Sequence, residues 1–109
     1  MIQHKENNTI LKDSSDDFDA FFEIVSKNLT DFNKKNIIID LSDNSKITNS
    51  LIKQFVAVSK LHKKNKKSFV IVANDIDFTS VPASLTVVPS VLEAHDIIEM
   101  EEIERDLGF

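Results

Sequence analysis

Two short stretches of the chain are apolar at nearly every position: 37–41, Ile-Ile-Ile-Asp-Leu, and 69–73, Phe-Val-Ile-Val-Ala. Runs of this length and β-branched content predict strands covered on both faces, as in a parallel sheet. Elsewhere the apolar residues recur at spacings of three and four. Phe18, Phe21, Phe22, Val25, Leu29 and Phe32 make one such stripe and predict an amphipathic helix. Ser14 or Ser15 is its expected cap, with Asp16 and Asp17 in its first turn, and the polar stretch 33–36 closes it. Ile47, Leu51, Phe55, Val58 and His62 mark a second stripe, widened by Ile52 and Val56, for which Thr48 is the expected N-cap. Short strands are predicted at Thr9-Ile10-Leu11, reaching back toward Ile2, and at Thr86-Val87-Val88, stopped by Pro89. Residues 81–85 read as one helical turn with Pro82 near its start. Ser90-Val91-Leu92-Glu93 has the spacing of a capping box and opens the last helix. The order β-α-β-α-β-(α)-β-α predicts an α/β fold, a small, mainly parallel four-stranded sheet with helical crossovers, in a single domain over residues 1–109.

Composition narrows the chemistry that such a fold carries. With 41% hydrophobic and 28% charged residues the chain has the balance of a folded globular protein. It has no cysteine, which removes disulfides, thiolate catalysis and cysteine-bound metal. Its one glycine is Gly108, so neither a P-loop nor a dinucleotide fingerprint can be written. The net charge of −5 argues against direct nucleic-acid binding. Lysines cluster only between Lys60 and Lys67, at an expected helix end, where cations complement the helix dipole. Neither the amino-terminal stretch nor any apolar run has the form of a leader peptide or membrane span; a cytoplasmic protein is the expectation.

Histidines and aspartates are the remaining candidates for reactive groups. His4, His62 and His95 belong to no metal-ligand spacing, so no metal site is expected from them. His62 continues an apolar stripe and reads as structural. His95 and Asp96 adjoin in sequence but do not face one another on a helix. Acidic residues close each of three strands: Asp13, then Asp40 and Asp43, then Asp75 and Asp77. Ligands collect beyond the carboxyl ends of parallel strands, and carboxylates converging there suit Mg²⁺. Aspartate is equally at home there as a turn former. A receiver-type phosphoacceptor site needs an acidic pair after the first strand and a lysine after a later one. Lys12-Asp13 and Thr86-Val87-Val88-Pro89 supply neither. A Mg²⁺- or phosphate-binding receiver-like domain is therefore the alternative from a different class.

The hydroxyl-rich segment 42–50, Ser-Asp-Asn-Ser-Lys-Ile-Thr-Asn-Ser, joins the 37–41 strand to the second helix. With that strand, the helix near Thr48, the 69–73 strand and the late Glu93-Ala94 helix, it resembles the STAS domains of anti-sigma-factor antagonists. The resemblance spans nearly the whole chain in element order. In that family a strand ending in Asp-Leu leads to a D-S-S/T-G-like loop that carries a regulatory phosphosite. The aligned stretch here is Thr48-Asn49-Ser50-Leu51. Asn49 falls where the phosphoacceptor belongs and Leu51 replaces the glycine, so the resemblance leaves Thr48 and Ser50 as the substitute phosphosites. The family's N-terminal hairpin looks shortened. The ending, residues 98–109, is also similar to that of short flavobacterial proteins encoded beside ribonuclease Z and at times catalogued under its name. Ribonuclease Z itself carries H-x-H-x-D-H for two zinc ions, which this sequence lacks.

The last helix adds a different feature. At about 100° per residue, Val91, Ala94, Ile97 and Ile98 share one side and Leu92, Met100, Ile103 and Leu107 the other. Either the helix breaks near Glu99, so that both halves cover the same domain, or it is continuous and leaves Met100, Ile103, Leu107 and Phe109 as a patch for a partner or a second copy. The resemblance implies a non-catalytic, regulatory protein-interaction domain without a cofactor. Its expected docking residues are Asp43, Ser45, Thr48, Asn49, Ser50 and Lys53, extended by Met100, Ile103 and Leu107. The expected partner is another protein, a kinase-like anti-sigma factor or, in the accessory reading of tRNA 3′ processing, ribonuclease Z.

Overall fold

The computed structural model describes residues 2–5, 7–13, 17–44 and 46–108, with 2–5 described by their backbone. Four parallel strands form the sheet expected from the apolar runs: β2 (Asn8–Lys12), β3 (Asn36–Asp40), β4 (Phe69–Val72) and β5 (Thr86–Val88). A fifth, β1 (Ile2–Lys5), pairs antiparallel with β2, from Ile2 opposite Leu11 to Lys5 opposite Asn8. The segment that looked like one strand beginning near Ile2 is thus a tight hairpin. The sheet order follows the chain, β1-β2-β3-β4-β5.

Helix α1 (Phe18–Asn28) lies between β2 and β3, while α2 (Asn49–Lys53) and α3 (Val56–Lys63) lie between β3 and β4. Asp17 caps α1, its side chain accepting from the Ala20 N–H at 3.2 Å. The cap therefore falls to Asp17, and Ser14, Ser15 and Asp16 lie outside the described residues. A 3₁₀ turn, Leu29–Phe32, extends the α1 stripe. The second stripe is present but its helix is not continuous. The Gln54 N–H reaches back to Leu51 O and that of Phe55 to Ile52 O. These three-residue bonds tighten one turn before the α-type ladder resumes from Ser59 to Phe55. The helical turn expected at 81–85 lies earlier, as a 3₁₀ turn over Phe78–Ser80 capped by Asp77. Residues 82–85 form a tight turn closed by the Leu85 N–H on Pro82 O.

Alternation along the strands divides the interior in two. Leu11, Ile37, Ile39, Leu41, Phe69, Ile71 and Ala73 join Phe18, Phe21, Val25, Ile52 and Phe55 in the larger core. Phe55, fully buried, meets the rings of Phe18, Phe22 and Phe69 at centroid separations of 5.6, 5.1 and 6.1 Å. Ile38, Val70 and Val72 point to the opposite face and meet Ala94 and Ile98. Crossovers that step in one direction with one hand place their helices on one side of the sheet. The opposite face is covered by α4 (Val91–Asp106). Ser90 caps α4 as its spacing predicted, accepting from the Glu93 N–H at 3.2 Å. The break considered near Glu99 is absent: α4 runs unbroken through 16 residues. It is anchored by Ala94 and Ile98 on one side and exposed on the other.

Candidate functional site

The loops at the carboxyl ends of β2, β3 and β4 are shaped by the polar side chains that close those strands. Asp40, the last residue of β3, turns back on its own loop. Its Oδ1 accepts from the Ser42 N–H at 3.0 Å and from the Ser42 hydroxyl at 2.6 Å. Asp13 and Asn44 are both buried, and the Asn44 amide donates to Asp13 Oδ2 at 2.8 Å. Asn44 Oδ1 accepts in turn from the Lys46 N–H at 2.9 Å, so one buried side chain ties the β2 and β3 loops together. On the surface, Asp43 pairs with Lys12 at 2.9 Å. That hydrogen bond, with the carboxylate charge, holds the Lys12 ammonium above its ordinary pKa.

The start of α2 is fixed from two directions. The Thr48 hydroxyl accepts from the Leu51 N–H at 3.3 Å and so caps the helix as expected. Asn49 reaches across to the loop after β4, donating to Asp77 O at 2.7 Å and accepting from the Asp77 N–H at 3.1 Å. The Asp77 carboxylate accepts from the Thr79 and Ser80 hydroxyls at 2.6 and 2.8 Å and from the Thr79 N–H. Those donors hold its pKa below the usual carboxylate value. Asn49 is therefore a clamp between two loops.

Five of the expected docking residues, Asp43, Thr48, Asn49, Ser50 and Lys53, lie along this end of the molecule. Asp43, Thr48, Ser50 and Lys53 are exposed, and Asn49 is half-buried. Ser45 lies outside the described residues. Met100, Ile103 and Leu107 do not extend this surface. They project from α4, on the other face of the sheet, and the C-terminal half of α4 runs toward the amino ends of the strands, where Arg105 meets Ser68 and Asn36. Two separate patches replace the single one expected. Phe109 lies outside the described residues.

Comparison with family models and with curated proteins returns no match.

The strand-end acids do not assemble as ligands. Among the described residues no group of three or more histidine, aspartate or glutamate side chains converges as metal ligands would. The crevice between the β3 and β4 ends, bordered by Asn44, Ile47, Asn74 and Asp75, measures about 10 Å³, at most the size of one water molecule. Among the described residues no helix is long and apolar enough to cross a membrane.

A polar relay that the hydrophobic pattern does not announce lies at the opposite end of the sheet. Asn8 and Asn36 open β2 and β3 in register, and Ser68 precedes β4. The Ser68 N–H donates to Asn36 Oδ1 at 2.8 Å, the Asn36 amide donates to Asn8 Oδ1 at 3.0 Å, and the Asn8 amide donates to His95 Nδ1 at 2.9 Å. The Ser68 hydroxyl donates to Glu101 and accepts from Arg105 at 3.2 Å. Three residues of α4 are thereby fastened to the sheet. The available signal was a polar residue opening each of three apolar strands.

Proposed function

We propose that this chain is a non-catalytic, STAS-like protein-interaction domain. It presents the 42–50 loop and the first turn of α2 to another protein. The observation that carries this reading is the two-way bond between Asn49 and Asp77. With the buried Asp13–Asn44 pair, it spends the polar groups at the strand ends on holding loops in shape. A loop held before binding loses less conformational entropy on docking. Asp43, Thr48, Ser50 and Lys53 form its exposed rim.

In this reading the partner is a kinase-like anti-sigma factor. Ser50 is the better phosphosite, because it is exposed while the Thr48 hydroxyl is engaged as a cap. Lys53 lies three residues beyond Ser50 on the same helix, within reach of a phosphate placed there. The test is affinity purification from the native cell with the unaltered protein, Lys53→Glu and Ser50→Asp as baits. A partner retained in stoichiometric amount by the first and lost from both variants, with circular dichroism unchanged, is expected. Recovery of ribonuclease Z by the same loop-dependent criterion would select the accessory reading. Hydrolysis of RNA or phosphoesters by the pure protein, abolished by a substitution within it, would overturn the proposal. So would Mg²⁺-induced NMR shifts concentrated at Asp13, Asp40 and Asp75.

A further inference from the structure

The outward face of α4 has a pattern that the fold does not need. Ala94 and Ile98 face the sheet and are buried. On the opposite side Leu92, Met100, Ile103 and Leu107 are 73%, 59%, 53% and 66% exposed. At about 100° per residue these four fall within an arc of about 80°, and at about 1.5 Å per residue they extend over roughly 22 Å. Met100, Ile103 and Leu107 follow one another at spacings of three and four, the seam spacing of a helix that packs against another helix. Scattered exposed apolar residues require no explanation; a straight seam of them along one helix does.

Charge identifies what fits the seam. Glu93 and Glu104 flank it on the Met100 side, Glu99 and Asp106 flank it on the other, and all four are exposed. Asp96, also exposed, interrupts the line between Leu92 and Met100. Arg105, the one basic residue at the C-terminal end of α4, turns inward to Ser68 and Asn36, and Lys63, Lys66 and Lys67 share a groove with Glu104 alone of these acids, so Glu93, Asp96, Glu99 and Asp106 keep the rim acidic. Two copies meeting seam to seam would bring acidic rim against acidic rim, an arrangement that costs free energy. A membrane with an anionic surface is disfavoured for the same reason.

We infer that the outward face of α4 docks an amphipathic helix of a partner protein, one with an apolar seam flanked by lysine or arginine and a cation opposite Asp96. This face stands apart from the 42–50 loop and goes beyond the loop reading.

A synthetic helical peptide of about three heptads, with leucine at the seam positions and lysine beside them, serves as the probe. Its binding to the full chain is followed by fluorescence anisotropy. Scrambling the peptide keeps its charge and removes its seam, and should weaken binding by about tenfold or more. Ile103→Ser and Met100→Ser should each do the same, since both sites are exposed and the fold is expected to survive. Asp96→Lys should weaken binding, and a peptide with glutamate at the facing position should restore it. Equal binding of the ordered and scrambled peptides, or of the unaltered protein and Ile103→Ser, would overturn the inference. Sedimentation showing a dimer of the protein alone that Ile103→Ser disperses would overturn it in favour of a second copy. Lys53→Glu should leave peptide binding unchanged, so failure here and failure of the loop reading are separate results.

Discussion

At the scale of single residues, two side chains carry costs that the rest of the fold sustains. His62 is fully buried beside Phe69, and its Nε2–H donates to Lys35 O at 2.7 Å. Among the described residues its Nδ1 has no partner, which suits a neutral ring and leaves an added proton unsatisfied. Burial is the main reason its pKa lies below the ordinary 6.5; the bond to Lys35 opposes that shift and the Lys67 charge adds to it. In the unfolded chain the imidazole binds its proton at higher pH than in the fold. Stability from this group is therefore complete above about pH 6.5 and is lost as pH falls toward the lower folded value. His62→Gln keeps a donor for Lys35 O and removes the titration. The difference in unfolding free energy between about pH 8 and about pH 5 should be smaller in this variant than in the unaltered protein. An equal difference in urea titrations would show that His62 does not carry it. Lys66 is the second such residue. Just past α3, it is the one non-glycine residue with positive φ, 61°, among those described. The left-handed conformation costs an L-residue roughly 1–2 kcal/mol, and glycine loses roughly 0.5–1 kcal/mol of chain entropy in return. Lys66→Gly should accordingly stabilise the protein by about 0.5–1 kcal/mol in the same titration.

At the scale of elements, the parts that were legible in the sequence are those whose burial is decided locally. β3 is buried at all five positions and β4 at all four, as the apolar runs 37–39 and 69–72 require. The caps at Thr48 and Ser90 followed from a hydroxyl placed before a helical stripe. β1 was not separable from β2, because Ile2-Gln3-His4-Lys5 has neither an apolar run nor a glycine turn to announce a hairpin. The polar relay was hidden for a different reason. Asn8, Asn36 and Ser68 are far apart in sequence and meet because β2, β3 and β4 align in register. Five of the six expected docking residues in and near the loop lie at one end of the sheet, whereas those on α4 belong to another face; helical periodicity fixes a side of a helix but not its place in the fold. The continuity of α4 also depended on tertiary structure, since one helix had to span the sheet face that the crossovers leave open. That face has a thin core, with Ile98 at its centre against Ile38, Val70 and Val72. Ile98→Ala should cost about 2–5 kcal/mol, the usual range for a buried isoleucine. Hydrogen exchange should show α4 losing protection ahead of α1. Uniform loss in both helices would mean that α4 is not held mainly by this contact.

At the scale of the whole molecule, the fold is open at its two sheet edges, and they are closed differently. β5 is three residues long and is followed by Pro89, which ends its hydrogen-bonding edge quickly. The other side would end at β2, a five-residue strand with Thr9 and Leu11 buried. A long, apolar, unpaired strand is a template for pairing with another chain. β1 occupies that position, in register with β2 over four residue pairs. Its role therefore follows from where it lies more than from its own sequence: a short antiparallel strand caps a parallel sheet that would otherwise extend. Removing residues 1–6 tests this. Each backbone hydrogen bond contributes about 0.5–1.5 kcal/mol net, so losing the β1–β2 ladder should cost on the order of 2–4 kcal/mol. The shortened protein should also associate as its concentration rises, through the newly exposed edge of β2, because the apolar residues of that strand remain. Lysine at Ile10, a half-buried position of the same strand, would place a charge beside this edge and should reverse the association without restoring stability. Sedimentation and urea unfolding read the two effects separately. A shortened protein that stays monomeric, with its unfolding midpoint unchanged, would mean that β1 neither protects nor supports the sheet.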